Sequence, residues 1–97
     1  MSTQVIEKKT AKPDRGGRKK DPGYRVLLHN DPFNTMEYVV ETLMQTVGMN
    51  EAQAVTIMME THTTGIGLVT VCMLEHAEFY SESLKSKGLT STIEPAE

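Results

Sequence analysis

Between residues 24 and 94, short segments rich in β-branched and aromatic residues alternate with longer segments whose apolar residues recur every three to four positions. The first pattern is typical of strands and the second of amphipathic helices. In chain order, the segments predict strand, helix, helix, strand, helix and strand. We therefore expect an α+β domain in which three helices pack against one small three-stranded antiparallel sheet.

The first helix carries the strongest periodic signal. It follows a strand predicted at residues 24–28, and Asn34 is expected to be its N-cap because Glu37, three residues later, completes the capping-box pattern. Gly48 is a plausible end for the helix. Its apolar residues are predicted to form one continuous face, which consists of Met36, Val39, Val40, Leu43, Met44 and Val47.

The second half of the chain has weaker periodicity but clear boundaries. Asn50 with Gln53 repeats the capping-box pattern and predicts the start of a second helix. The remaining boundaries follow from glycines and from runs of β-branched residues: the second helix ends at Gly65, a strand covers 66–73, a third helix covers about 74–87, and a last strand covers about 89–93.

Charge divides the chain into two parts. Residues 1–22 contain seven Lys or Arg and three acids, a net charge of +4, whereas residues 23–97 contain three Lys or Arg and ten acids, a net charge of −7. The first part has too few apolar residues to offset the entropy of ordering. The prediction is a disordered basic extension at 1–22 and a core domain at 23–97.

Three interpretations of the basic extension stay open: contact with an acidic partner, contact with nucleic acid, and a solubilising tail. The acidic core disfavours the second, because it would repel phosphates. The core itself suits one compact domain, given 97 residues and 38% apolar content. A single cysteine and the absence of a long apolar run predict a cytoplasmic protein that does not contact membrane.

The sequence gives little support to a catalytic site or a metal site. Cys72 lies in a predicted strand among apolar residues, where a cysteine usually behaves as a small hydrophobe. It could form a nucleophilic triad only with Asp31 and one of the three histidines. The histidines and the cysteine are scattered along the chain and do not have the spacing of metal ligands. We expect a protein that is not an enzyme and has no cofactor. For His62, spacing alone favours a histidine at the edge of the core.

The join between first strand and first helix, within LLHNDPFNTMEYVV, holds more polar chemistry than a turn requires. Asn34 is assigned to the helix cap, which leaves Asn30 and Asp31 without a structural role. An amide oxygen and a carboxylate side by side are acceptors suited to a cation.

Three segments resemble the ClpS adaptor family: YRVLLHNDPFNTMEYVVETL, AVTIMMETHTTG and AEFYSESLKSKGLTSTIE. The pattern NDxxxxME, followed at the right separation by MxxxH, is fairly specific. The resemblance implies a recognition module of N-degron proteolysis. Such a module binds proteins whose first residue is large and apolar and delivers them to the N-domain of a ClpA-type or ClpC-type AAA+ unfoldase coupled to ClpP. A monomer is expected.

The resemblance also assigns roles to residues, each matched to a position of the family motif. The α-amino group of the cargo is expected at Asn30, Asp31 and His62. Its first side chain is expected in a pocket of Met36, Val39, Met58, Thr61 and Leu89. Pro32 and Asn34 are expected at the rim of that pocket, and Glu75 at the surface that contacts the unfoldase.

Departures from the family pattern leave the specificity open. Many relatives have a second acid at the position of Pro32, and valine at that of Thr61, so the preference among large apolar residues is not settled. Two other functions also stay open. One is a docking domain that modulates the unfoldase without N-degron recognition, and the other is a weak nucleic-acid-binding protein that uses the basic extension.

Overall fold

A computed structural model describes residues 21–97, so residues 1–20 of the predicted extension lie outside the described part. The order strand, helix, helix, strand, helix, strand is confirmed. None of the helices in residues 21–97 combines the length and apolar character needed to cross a membrane. The elements are β1 (Tyr24–His29), α1 (Met36–Val47), α2 (Glu51–Thr64), β2 (Ile66–Cys72), α3 (Leu74–Ser86) and β3 (Thr90–Pro95).

The three strands form one antiparallel sheet, as predicted, and their order in the sheet is β2, β1, β3. The first strand is therefore central, and Leu28 lies opposite Gly67 on one side and Ser91 on the other. The register between β1 and β2 shifts at Val26, where β2 contains one extra residue. Such a bulge bends the strand locally.

The core lies between one face of the sheet and the helices. Val26 and Leu28 alternate inward along β1, as a half-buried strand requires. α2 packs on β2, α3 packs on β1 and β3, and α1 packs across α2 and α3. The buried cluster consists of Val26, Leu28, Leu43, Ala54, Val69, Ala77, Leu84 and Leu89.

The start of α1 differs from the prediction. Its N-cap is Thr35, whose Oγ1 accepts a hydrogen bond from the Tyr38 backbone N–H at 3.1 Å. The Asn34 side chain is held elsewhere, because its Nδ2 donates to Asp31 Oδ2 and to the Gly88 carbonyl. Both residue types are good caps, so a tertiary contact decides between them.

The predicted capping box of α2 is confirmed. Gln53 N–H donates to the Asn50 side chain at 2.9 Å, and Asn50 N–H donates to the Gln53 side chain at 3.3 Å. Both helices end, as predicted, at a glycine in the left-handed region: Gly48 has φ 87° and Gly65 has φ 95°. A residue with a Cβ would be strained at either position.

The predicted apolar face of α1 is only partly buried. Leu43 is fully buried, but Met36 and Met44 are 42% and 37% exposed. The reason is that α1 packs on two other helices rather than directly on the sheet, so residues at the margin of its apolar stripe face outward. These methionines line surface cavities instead.

Candidate functional site

A cavity of about 370 Å³ lies where the end of β1 meets the start of α1 and the last turns of α2. The loop after β1 and the residue that precedes β3 complete its wall. Ten of the eleven residues predicted from the sequence to form a site lie around this one cavity. They are Asn30, Asp31, Pro32, Asn34, Met36, Val39, Met58, Thr61, His62 and Leu89.

The interior of the cavity is apolar and firmly packed. Met58, Thr61 and Leu89 are each at least nine-tenths buried, and Val39 is half-buried. Met36 is the exposed member of the predicted pocket, and its unbranched thioether can adapt to different occupants. The cavity can therefore take an apolar side chain at little cost in reorganisation.

Acceptor groups lie at the mouth of the cavity. Asn30 and His62 are exposed and Asp31 is half-buried, so their polar atoms are open to solvent as well as to a ligand. Asn30 and Asp31 follow β1 directly, and His62 comes from the last turn of α2. The sheet and the helix thus bring together three side chains that are distant in sequence.

Asp31 has a structural role that the sequence analysis did not assign. Its Oδ1 accepts the Phe33 backbone N–H at 2.8 Å, and its Oδ2 accepts the Asn34 side-chain amide at 3.1 Å. The carboxylate therefore closes the turn before α1 and is not left over from it. Each oxygen still has a second lone pair, so a carboxylate held in this way can also accept from a cation.

Hydrogen bonds between distant segments hold the mouth in place. The Asn30 backbone N–H donates to the Gly65 carbonyl at 3.0 Å, which joins the end of β1 to the end of α2. Asn34 donates to Gly88 at 3.0 Å, and the Tyr38 hydroxyl donates to Lys87 at 2.5 Å. The site is consequently braced on both sides before any ligand enters.

Close packing also places Thr61. Its Oγ1 donates to the Ile57 carbonyl one turn back at 2.8 Å. Across the layer lies Gly67, where an added Cβ would come within 2.1 Å of that same Oγ1. Only a residue without a side chain lets α2 approach β2 this closely, so Gly67 determines where the Thr61 wall of the cavity lies.

Three residues that line the cavity were not predicted: Leu28, His29 and Thr35. The inward alternation of β1 identifies Leu28 as a core residue but does not indicate that it faces a cavity. His29 forms a hydrogen bond of 2.7 Å with Thr92, which no local pattern indicates. Glu75, the predicted unfoldase contact, is exposed in the first turn of α3 and does not line this cavity.

Cys72 lies apart from the cavity. It is half-buried in β2, and burial raises the pKa of its thiol, which disfavours the nucleophilic thiolate. Among residues 21–97, no group of three or more His, Cys, Asp or Glu side chains is placed to hold a metal ion.

The fold and the cavity define a small α+β binding domain: an apolar cavity has hydrogen-bond acceptors at its mouth and neither cysteine nor serine in its described lining. The family model described as "ATP-dependent Clp protease adaptor protein ClpS" matches residues 19–92. The chain belongs to this family.

Curated relatives and a solved structure agree with this assignment. The ATP-dependent Clp protease adapter protein ClpS of Synechococcus elongatus is 57% identical over 97 residues, covering 98% of both chains. That of Synechococcus sp. strain CC9902 is 62% identical over 79 residues, which are 80% of this chain and 76% of the relative. Agrobacterium tumefaciens ClpS2 bound to L-phenylalaninamide superposes with a TM-score of 0.71 at 32% identity, covering 78% of this chain and 99% of the other.

Proposed function

We propose that this chain is an adaptor of the ATP-dependent Clp protease that binds proteins through a free N-terminal residue with a large apolar side chain. The observation that carries the proposal is that acceptor groups and apolar walls, predicted from separate segments, line one cavity. The similar Agrobacterium protein binds L-phenylalaninamide, a ligand with a free amino group and an aromatic side chain.

The amino group of the cargo binds at the mouth. An α-ammonium offers only donors, so its partners must be acceptors: the Asn30 oxygen, the Asp31 carboxylate and an unprotonated nitrogen of His62. Hydrogen bonds to a charged group contribute roughly 1.5–3 kcal/mol each. The turn hydrogen bonds that orient Asp31 reduce the entropy lost when the ammonium binds.

The first side chain of the cargo fills the apolar interior. Burial of a Leu or Phe side chain contributes about 1.5–3 kcal/mol. Because Met58, Thr61 and Leu89 are fixed by the core, while Met36 is exposed at the opening, the walls select for size and the opening adapts. A β-branched or charged first residue fits this arrangement less well than Phe, Tyr, Trp or Leu.

Two residues adjust the preference among large apolar residues. Pro32 stiffens the rim of the cavity. The Thr61 hydroxyl adds a polar atom to the wall, although its proton is already donated to Ile57. With its donor satisfied in the helix, this wall should accept an aliphatic or aromatic group without leaving a polar group unpaired.

Delivery completes the proposed role. The adaptor carries cargo to the N-domain of a ClpC-type or ClpA-type unfoldase in the cytoplasm and performs no chemistry itself. Glu75, exposed at the start of α3, is assigned to the unfoldase contact, and the basic extension at 1–22 is assigned to engagement of the motor. Glu75 is not among the residues that line the cavity, so cargo and motor can be bound together.

A panel of fluorescent peptides that differ only in the first residue tests the proposal by anisotropy. Peptides that begin with Phe, Tyr, Trp or Leu should bind, and peptides that begin with Glu, Lys or Gly should not. Asp31→Asn should weaken binding of the first group, while the matched surface variant Glu78→Gln on α3 should not. Equal binding of all peptides would contradict the proposal and favour a docking domain without N-degron recognition.

A further inference from the structure

A second, larger opening runs between α1 and α2 on the outside of the domain. It has a volume of about 720 Å³ and shares Met36 and Met58 with the first cavity. We call it the α1–α2 groove. Its apolar floor is formed by Val40, Met44, Val55 and Met58, and its polar rim by Glu37, Glu41, Gln45 and Glu51.

The floor of the groove is partly exposed to solvent. Met44 and Val55 are 37% and 38% exposed, and they lie on facing helices. Exposed apolar surface rimmed by polar residues is typical of a binding surface. Nothing in the packing of the core requires these two side chains to be apolar.

The rim of the groove is acidic. Within residues 21–97, Glu37, Glu41 and Glu51 form no salt bridge with Lys or Arg. This part of the chain has eleven acids and only three Lys or Arg residues, a net charge of −8. Its salt bridges use Arg25 and Lys85, neither of which lines the groove. An occupant of the groove should therefore be basic and partly apolar.

The first 20 residues of the same chain have this composition. They contain seven Lys or Arg residues and two acids, a net charge of +5. Their one pair of adjacent aliphatic residues, Val5 and Ile6, is followed closely by Lys8 and Lys9. The apolar pair is suited to the apolar floor of the α1–α2 groove, and the adjacent lysines are suited to the glutamates of its rim.

The topology brings this segment to the correct end of the groove. Thr61 of α2 lies against Gly67 of β2, whereas Gln53 and Thr70 line the same surface cavity, so α2 runs antiparallel to β2. The Glu51 end of the groove therefore points toward Cys72, which is paired with Tyr24 at the start of β1. The chain that precedes β1 thus enters the domain on the side where the groove begins.

We propose that residues 1–20 dock in the α1–α2 groove of their own domain, with Val5 and Ile6 on the floor and Lys8 and Lys9 against the glutamates of the rim. The reach is ample. Twenty extended residues span up to about 66 Å, whereas the groove from Glu37 to Gln45 follows about 12 Å of helix.

The groove adjoins the first cavity, because Met36 and Met58 line both openings. Ion pairs between the arm and the rim would lie at the surface, and such pairs are sensitive to salt.

Paramagnetic relaxation tests the docking in the full chain. A nitroxide is attached to Thr10→Cys in a Cys72→Ala background, and the backbone amides of the isotope-labelled protein are observed at low salt. The proposal predicts a marked loss of signal at Val40, Met44 and Val55, and little loss at Glu78 and Glu82 on α3. The loss should diminish in Glu41→Lys/Glu51→Lys and in about 0.5 M NaCl, but persist in the control Glu78→Lys/Glu82→Lys.

Three other results would overturn the proposal. Absence of signal loss means that the arm does not dock, and uniform loss means that it contacts the surface without preference. A third result comes from a mixture in which one copy of the protein carries the nitroxide and another copy carries the isotope label. Signal loss in that mixture means that the groove binds the arm of a second copy. As a check that does not replace Cys72, groove amides of the unmodified chain should shift between low and high salt while α3 amides do not.

Discussion

Gly67→Ala probes how the fold sets the depth of the proposed binding cavity. Gly67 lies in β2, opposite Leu28 of β1, and is buried. A Cβ at this position would lie 2.1 Å from Thr61 Oγ1, 3.0 Å from the Ile57 carbonyl oxygen and 3.3 Å from Thr61 Cβ. The first of these distances is far inside van der Waals contact, so Thr61 or the strand has to move.

The sign of the effect on stability is informative. Gly67 has no positive φ, and replacement of glycine by alanine in an unstrained backbone stabilises a protein by about 0.4–1 kcal/mol. Overpacking of a buried site costs about 1–3 kcal/mol. We therefore expect net destabilisation by about 1–2 kcal/mol, and weaker binding of a Phe peptide because Thr61 is displaced toward the cavity.

Urea unfolding followed by far-UV circular dichroism measures the stability, and fluorescence anisotropy measures the affinity. Thr61→Ala removes the shortest of the three contacts, that to Oγ1, so Gly67→Ala should cost less in that background than in the natural sequence. The difference between the two costs is the coupling free energy of the pair. If Gly67→Ala is neutral or stabilising in the natural sequence, Gly67 does not position Thr61 and our explanation of the cavity wall is wrong.

Three further predictions concern the mouth, the loop and the thiol. His62→Ala removes one of the three acceptors at the mouth and should weaken binding of a Phe peptide about tenfold; unchanged affinity by anisotropy would argue against His62 as acceptor. Asn34→Ala removes two hydrogen bonds and should lower the free energy of unfolding by about 1–3 kcal/mol, whereas Phe33→Ala, at a side chain 92% exposed, should have little effect. Because burial raises the pKa of the Cys72 thiol, iodoacetamide should alkylate it more slowly in the folded chain than in urea, and equal rates would contradict this.

The secondary structure was predictable because its signals are local. Apolar periodicity indicated α1, a reciprocal pair of side chains indicated the start of α2, and glycines marked the ends of both helices. The N-cap of α1 was not predictable in this way. Asn34 and Thr35 are both suitable, and the choice depends on Gly88, more than 50 residues away in the chain.

The site was predictable to the extent that its residues belong to a recognisable motif. Asn30 and Asp31 were assigned to the site because they had no structural role once Asn34 was taken as the helix cap. In the structure, Asp31 also forms hydrogen bonds that close the turn. Leu28 was missed because strand alternation identifies it as core without indicating that this part of the core faces a cavity. The exposure of Met44 depends on which element α1 packs against. The spacing of apolar residues along the helix does not indicate which element that is.

The free amino group is the central requirement of the proposed function, and a pair of small ligands tests it most directly. Isothermal titration would compare L-phenylalaninamide with its N-acetyl derivative, which keeps the side chain but loses the charge and two donors. The loss of one charge-assisted hydrogen bond, about 1.5 kcal/mol, already corresponds to roughly tenfold in affinity. The account predicts binding of the free amine and at least tenfold weaker binding of the acetylated form; equal affinity of the two would contradict it.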